Sequence, residues 1–212
     1  MTTLPQRNCQ GLTREVARWK GEGMDAIAML KNDHKTVEEL FRKFEQAGAR
    51  AYKTKRRLVD EITTELSIHA AIEEQVFYPA TREAREETEE MVLEALEEHH
   101  LVKLALSELE KMDPEDERFT PKVTILIENV RHHVKEEEGE MFPKVRKAMK
   151  PGQLKALGDR LAQAKESAPT RPHPAAPDEP PGNVVAGGMA AVMDAGKDAV
   201  RRVKEEIGRR RG

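Results

Sequence analysis

Residues 69–79, HAAIEEQVFYP, and residues 133–143, HVKEEEGEMFP, are two copies of one pattern. Each copy begins with histidine, has two glutamates at its fifth and sixth places and ends with proline. The first histidine of each copy follows an earlier histidine, His34 or His99, by 35 and 34 residues respectively. A repeat of this length holds one helical hairpin, and two such hairpins predict a four-helix bundle.

Apolar residues recur at steps of three and four in four long segments, which is the spacing of a helix that buries one face. Each of these stripes contains one histidine, and the second and fourth also contain a glutamate. The sequence therefore predicts four amphipathic helices with polar side chains on their buried faces. The stripes are Ile27, Leu30, His34, Val37, Phe41 and Phe44; Leu58, Ile62, Leu66, His69, Glu73 and Val76; Val92, Ala95, His99, Val102, Leu106 and Leu109; and Val123, Leu126, Val130, His133 and Glu137.

Capping and breaking residues indicate where these helices begin and end. Pro79 is expected to stop or kink the second helix, since proline lacks the N–H that an interior helical position donates. Thr88 is expected to cap the third helix, and Thr120 the fourth, where it precedes a proline at the first helical position. Pro143 is expected to mark the far end of the fourth helix.

The composition favours an all-α protein. Of the 212 residues, 35% are charged, 38% are hydrophobic and only 4% are aromatic, which suits helices that bury one stripe and nearly excludes an all-β fold. A formal net charge of −3 gives no reason to expect a nucleic-acid partner. The single cysteine and the lack of an apolar secretory or membrane-spanning segment favour a cytoplasmic protein.

Changes in composition divide the chain into five parts. We expect a leader over residues 1–22, the four-helix bundle over 23–149 and a short fifth helix over 150–166. Residues 167–183 contain six prolines and are expected to form a stiff, unfolded linker. Residues 184–212 predict a basic, weakly amphipathic tail helix that docks on the acidic bundle, meets a protein partner or rests on an anionic membrane surface, or else frays in solvent.

Four of the seven histidines lie at matching depths in the predicted helices. His34 and His99 lie about ten residues after the starts of the first and third helices, and His69 and His133 lie ten residues before the prolines of the second and fourth. In an antiparallel up-down-up-down bundle the four rings then form one layer, roughly 15 Å from one end.

Two carboxylates belong to the same layer. Glu73 and Glu137 lie four residues after His69 and His133, so each shares a helix face with its histidine. Two carboxylates facing each other in a bundle core are costly unless cations neutralise them, and a pair of divalent metal ions would do so. Imidazole together with carboxylate favours Fe or Mn, with Zn less favoured. This ligand set leaves open positions for a small molecule.

Two other interpretations remain open. Histidines on apolar stripes are often structural and hydrogen-bonded. A di-metal carboxylate bundle of the ferritin kind would need Glu-x-x-His on two helices. Here only Glu97 and His100 have that spacing on the predicted helices, and they lie off the stripe.

The segments NDHKTVEELF, IHAAIEEQVFYP, EEHHLVK and HHVKEEEGEMFP resemble the hemerythrin family, in particular its bacterial HHE cation-binding branch. The resemblance covers about residues 24–149. It implies a four-helix bundle holding a non-haem di-iron centre, two Fe ions with an oxo or hydroxo bridge. By similarity, His34 and His69 would bind one iron, His99 and His133 the other, and Glu73 and Glu137 would bridge them.

One position departs from the family pattern. Hemerythrins that carry oxygen reversibly have a second histidine one turn after the third-helix ligand, and that place is Lys103 here. His100 or His132 could supply a fifth histidine only if a helix rotated by about 100°. We therefore expect a protein that binds or senses O₂, peroxide, NO or iron itself. The alternatives are a di-iron enzyme that decomposes peroxide and a metal-independent structural or interaction bundle.

A few further residues have two interpretations. Glu74 and Glu138 follow the expected bridging glutamates and are candidates for hydrogen-bonding the ligating histidines, or for solvated surface positions. Phe77, Tyr78 and Phe142 are expected either to close the nearby end of the bundle and restrict water access or simply to pack in the core. His173, within the proline-rich stretch, is most simply a solvated residue.

Overall fold

A computed structural model describes residues 24–84 and 86–211, and it confirms the all-α prediction: these residues contain no β-strand. The expected leader, 1–22, and the last residue of the tail lie outside the described residues. The helices are α1 (Ala26–Gln46), α2 (Tyr52–Ile72), α3 (Tyr78–Ala84), α4 (Glu89–Leu109), α5 (Phe119–Glu136), α6 (Phe142–Ala148), α7 (Pro151–Glu166) and α8 (Gly182–Arg211).

Neither Pro79 nor Pro143 ends its helix. Pro143 therefore does not mark the far end of the fourth helix, and of the two outcomes expected at Pro79 the stop is wrong. A π-helical turn, Glu73–Phe77, joins α2 to α3, and a second, Glu137–Met141, joins α5 to α6. In each turn the N–H of the residue before the proline bonds to the carbonyl five residues back, on the glutamate that begins the turn. The widened turn releases the carbonyl with which the proline ring would clash, so the helix continues past the proline.

The core consists of two apolar clusters, one on each side of the histidine layer. One cluster includes Phe77, the last residue of the first π turn, and Phe142, the first residue of α6. The other includes Phe41 and Phe44 of α1 and Phe119 of α5. Because the histidines fall between these clusters on every stripe, the packing of both holds the layer at one depth.

The helix starts agree with the predicted caps only in part. Thr88 precedes α4, but its hydroxyl donates to the carbonyl of Thr81 and does not cap α4. Helix α5 begins at Phe119, before Thr120, whose hydroxyl oxygen accepts a hydrogen bond from Lys55 Nζ at 3.1 Å. Tertiary contacts therefore use the hydroxyl groups that the sequence assigned to capping.

The proline-rich segment, residues 167–183, is folded against the rest of the chain, and this corrects the expectation of an unfolded linker. The fully buried carboxylate of Asp194 on α8 accepts hydrogen bonds from the backbone N–H groups of Thr170 and Arg171 at 3.2 and 3.1 Å. His173 Nε2 lies 3.1 Å from the same carboxylate, so His173 is bound and not simply solvated. Lys103 of α4 pairs with Asp178 at 2.6 Å.

The tail forms helix α8, and its described part leaves several apolar side chains exposed, including Val185, Met189 and Val192. Among the described residues, no helix has the length and apolar character needed to cross a bilayer.

Candidate metal centre

The four stripe histidines converge inside the bundle, each from a different helix. His34 and His69 have ring centroids 4.9 Å apart, and His99 and His133 have centroids 4.8 Å apart. All four are buried, with 4–6% of their surface exposed. The common depth predicted from the sequence is therefore present in the structure.

Glu73 and Glu137 are buried between the two histidine pairs, as the sequence predicts. Glu73 Oε2 lies 3.0 Å from His69 Nε2 and 3.4 Å from His99 Nε2, so it faces both pairs. Glu137 Oε2 lies 3.3 Å from His34 Nε2 and 3.5 Å from His133 Nε2. Each glutamate is the first residue of a π turn.

Potential ligand atoms form two adjoining groups. One consists of His34, His69, Glu73 and Glu137, and the other of Glu73, His99 and His133. Within each group the ligand atoms all lie within 4.8 Å of one another. Because Glu73 belongs to both groups, the arrangement suits two ions that share a carboxylate.

Outer carboxylates face the Nδ1 atoms of the same histidines. Glu138 lies 2.9 Å from His34 Nδ1, and Glu74 lies 3.0 Å from His99 Nδ1. Glu98 lies 2.7 Å from His133 Nδ1. A carboxylate at Nδ1 selects the tautomer that keeps the Nε2 lone pair free, which is the usual arrangement around a metal-ligating histidine.

The fourth histidine has a looser outer partner. Asp33 Oδ2 lies 3.9 Å from His69 Nδ1, a close charge pair that is too long for a hydrogen bond. The other oxygen of Asp33 accepts from Lys165 Nζ of α7 at 2.6 Å. Helix α7, which the sequence predicted as a short fifth helix, therefore places the positive charge of Lys165 beside Asp33 near the centre.

Sequence reasoning identified Glu74 and Glu138 as possible partners but missed Asp33 and Glu98. Both missed acids come directly before a stripe histidine, in the pairs Asp33-His34 and Glu98-His99. That adjacency was a usable signal, although the acid reaches a histidine of the neighbouring helix and not the one beside it.

Tyr78 is the other functional residue whose role the sequence did not indicate. Its hydroxyl donates to Glu137 Oε1 at 3.0 Å and lies 3.4 Å from Glu73 Oε2. It is also 3.3 Å from His99 Nε2. Tyr78 follows the first π turn, whereas the matching position in the second copy is Phe142, which has no hydroxyl. One tyrosine therefore serves both carboxylates.

Several buried polar atoms at the centre have no hydrogen-bond partner among the described residues. They include His34 Nε2, His69 Nε2, Glu73 Oε1 and Glu137 Oε2. Burying such atoms without partners costs about 1–3 kcal/mol each. Their lone pairs point to one small region and come from nitrogen and oxygen donors, so the residues fit a transition-metal pair.

The pKa shifts of the metal-free side chains also indicate that the buried carboxylates favour a positive charge beside them. Burial would raise the pKa of Glu73, but His69 and His99 hold it well below its usual value. Burial would lower the pKa of His99, but its contacts with Glu73 and Glu74 raise that pKa to about 9. The pKa of Tyr78 is raised well above its usual value by burial and by the charges of Glu137 and Glu73, so its hydroxyl stays a donor.

The two further histidines considered as ligands lie outside these groups. His132 is 63% exposed, with Nε2 3.2 Å from Glu136. His100 Nδ1 lies 3.9 Å from Asp178. Lys103, at the place where the family resemblance raised the question of a further ligand, pairs with Glu74 at 2.8 Å and with Asp178. None of the three offers a ligand atom to the buried groups.

A cavity of about 20 Å³ adjoins the four histidines on the side of the second apolar cluster. Apart from the histidines, its lining is aliphatic: Val37, Leu66, Ala70, Val102, Val130 and Val134. The space suits a molecule about the size of water. Its aliphatic walls favour a small, weakly polar guest over a charged one.

Because buried imidazoles and carboxylates converge within a helical bundle, the structure belongs to the class of helical proteins with a candidate metal site. The sequence-family model of the Hemerythrin HHE cation binding domain matches residues 25–145 of this chain. An uncharacterized hemerythrin-like protein of Schizosaccharomyces pombe is 30% identical over 171 residues, which cover 80% of this chain and 83% of that protein. The chain therefore belongs to the hemerythrin HHE cation-binding domain family.

Two other comparisons extend this result. The crystal structure of a hemerythrin HHE cation binding domain-containing protein from Mycobacterium kansasii matches with a TM-score of 0.59 and 27% identity, covering 68% of this chain and 86% of that one. A protein named DNA nickase, from Nostoc sp., is 25% identical over 144 residues. That match covers 68% of this chain but only 40% of the Nostoc protein, so the chain spans less than half of that relative's length.

Proposed function

We propose that this protein holds two iron ions at the buried centre and binds a small molecule, O₂, peroxide or NO, beside them. The proposed ligands are His34 and His69 for one ion, His99 and His133 for the other, and Glu73 and Glu137 between them. The single observation that carries the proposal is that two histidine pairs face both carboxylates at one depth, with Glu73 common to both ligand groups.

When bound, a non-haem di-iron pair supplies redox-active ions with open coordination positions. The protein's part is to orient the ligands. Glu138, Glu74 and Glu98 accept the Nδ1 protons of three histidines, and this fixes each ring with its Nε2 atom toward the centre. Each ring then loses little freedom when it binds an ion, because its orientation is already set.

The carboxylates have their own support. The Tyr78 hydroxyl donates to Glu137 at 3.0 Å and lies 3.4 Å from Glu73, which limits how far either carboxylate can swing. Because burial and the nearby carboxylates keep this hydroxyl protonated, it remains a hydrogen-bond donor at the edge of the centre. Its single proton is already given to Glu137, so a small molecule bound on that side would hydrogen-bond the hydroxyl through its oxygen or would replace Glu137 as the acceptor.

The cavity beside the histidines is consistent in size with a small bound molecule. Val37, Leu66, Val102 and Val130 line the cavity beside the four histidines and give it apolar walls. Because the walls away from the four histidines are aliphatic, that part of the lining favours a diatomic molecule such as O₂ or NO over an anion.

Metal analysis and optical spectroscopy on the purified protein test the proposal. We expect two irons per chain and a near-ultraviolet absorption in air that disappears on reduction. His69→Ala should lose both the iron and the absorption. Zinc, manganese or a stoichiometry near zero would contradict the iron assignment. Unchanged stability of His69→Ala would instead support a structural bundle.

Peroxide separates a binding protein from an enzyme. A binding or sensing protein keeps its oxidised and reduced states without consuming the added molecule. A peroxide-decomposing enzyme would release oxygen continuously from the iron-loaded protein. Measuring evolved oxygen after adding peroxide, with His69→Ala as the matched control, distinguishes the two.

A further inference from the structure

A third group of potential ligands lies at the surface, on the outer side of α4 and α5. It consists of Glu98, His132 and Glu136, each of which offers an atom within 4.8 Å of the others. His132 Nε2 and Glu136 Oε1 are 3.2 Å apart, and their side chains are 63% and 39% exposed. Glu98 is less exposed, at 24%, because its carboxylate also contacts His133 Nδ1.

This surface group repeats the buried pattern with a shift of one residue. The buried layer takes His99 from α4 and the pair His133 and Glu137, and each surface residue directly precedes one of these. His132 and Glu136 are four residues apart, so they share a helix face one turn apart, as the buried pair does. The same donor types that converge inside the bundle therefore converge again on its surface.

The first hairpin provides an internal comparison. There the residues that directly precede His69 and Glu73 are Ile68 and Ile72, and only Asp33, before His34, is polar. The one-residue shift therefore does not by itself create ligands. In the second hairpin both positions carry ligand-forming side chains, and Glu98 is already fixed in place by His133.

We propose that Glu98, His132 and Glu136 bind a divalent transition-metal cation at the surface, separate from the buried centre. One imidazole and two carboxylates suit ions such as Zn²⁺, Fe²⁺ or Co²⁺, and solvent completes their coordination. The two glutamates provide the negative charge that attracts the cation, and the histidine provides selectivity for transition metals over Mg²⁺ or Ca²⁺. Glu98 then lies between the surface cation and His133 of the buried centre.

Zinc titration of the untagged 212-residue chain tests this site. The protein is first loaded with iron and freed of excess metal, so that the buried centre does not compete, and Zn²⁺ binding is then followed by calorimetry. We expect one additional Zn²⁺ per chain, with affinity reduced at least tenfold in His132→Gln and also reduced in Glu136→Gln. Neither side chain contacts the buried ligands, so both variants should fold and keep their iron.

His100→Gln is the matched control, since His100 is also a partly exposed histidine close to a carboxylate but belongs to none of the three ligand groups. It should bind Zn²⁺ as the unmodified protein does. Equal Zn²⁺ affinity in His132→Gln and the unmodified chain would overturn the proposal, as would the absence of a saturable additional ion. Metal analysis after iron loading reports separately on the buried centre. If the buried centre proves not to hold iron, the Zn²⁺ affinities of His132→Gln and the unmodified chain can still be compared.

Discussion

The hydroxyl of Tyr78 donates a hydrogen bond to Glu137 at 3.0 Å, although the two residues are 59 positions apart and come from different copies of the repeat. This bond joins the hairpins at the centre. The first copy supplies the donor and the second copy the acceptor, and the equivalent position in the second copy, Phe142, lacks the hydroxyl. The duplicated pattern therefore produces a centre that is asymmetric in its hydrogen bonding.

Tyr78→Phe should destabilise the metal-free protein more than the metal-loaded protein. Without the hydroxyl, a buried carboxylate loses a donor at a cost of about 1–3 kcal/mol, whereas a bound cation would compensate much of that loss. Chemical denaturation of both forms, compared with the unmodified chain, measures the difference. Phe77→Leu, a change in the same apolar cluster without loss of a hydrogen bond, is the control. Equal losses in the two forms would contradict the expected role.

Removing metal should lower the melting temperature, and returning iron should restore it. The six buried ligand side chains then regain partners for their lone pairs and charges. A ligand present at 1,000 times its dissociation constant stabilises the folded state by about 4 kcal/mol. Calorimetry before and after chelation, and again after iron is returned, checks this. A melting temperature that does not respond to chelation would argue against a metal centre in use.

Lys103→Met should leave the metal content unchanged but loosen the proline-rich segment. The Lys103 ammonium pairs with Glu74 and with Asp178 of that segment, and it belongs to neither buried ligand group. We expect faster limited proteolysis within residues 167–183. Lys122→Met, which removes a surface lysine paired with Glu108 away from that segment, should not change the cleavage rate. Loss of iron in Lys103→Met would show that this pairing also supports the centre.

Gly158→Ala should weaken the docking of α7 onto the start of α1. A Cβ atom at residue 158 would lie 2.5 Å from the backbone carbonyl oxygen of Met24 and 3.0 Å from the Ala26 nitrogen. Overpacking of this kind costs about 1–3 kcal/mol. Denaturant unfolding measures the loss, and Gly152→Ala on the same helix, where a Cβ meets nothing within 4 Å, is the control. Equal stability of the two variants would contradict the close approach.

The effect of Arg131→Gln on stability should diminish at acidic pH. The Arg131 guanidinium, which hydrogen-bonds Glu45 at 2.7 Å, lowers the pKa of that carboxyl group. A depressed folded-state pKa gives stability that is present above the unfolded value and is lost as the pH falls through the folded value. The pair is exposed, so its contribution is roughly 0.5 kcal/mol or less.

Denaturant unfolding of Arg131→Gln and of the unmodified protein, each at pH 7 and at pH 3, measures how the stability difference between them changes with pH. A residual, pH-independent loss is expected, because the Arg131 guanidinium also lies 5.9 Å from the Phe41 ring centroid. If the stability difference between the chains instead grew on acidification, the Glu45 pairing would not act in the expected direction.

The sequence by itself determined the helices and the depth of the centre. The positions of His34, His69, His99 and His133 follow from a period near 3.6 residues and from distances along each helix, and both are local properties of a chain. The π turns were not predicted, since a proline after an apolar stripe equally indicates a helix end. Whether the helix continues depends on what packs against the turn.

Only the tertiary structure decided which side chains surround the histidines. Glu98 reaches His133 on another helix, Asp33 lies beside His69, and Tyr78 donates across the hairpins to Glu137. The Asp194 contacts that fold the proline-rich segment onto α8 also join residues more than 20 positions apart. Such contacts depend on how helices rotate and approach one another, and hydrophobic periodicity fixes the buried face of a helix but not its neighbour across the interface.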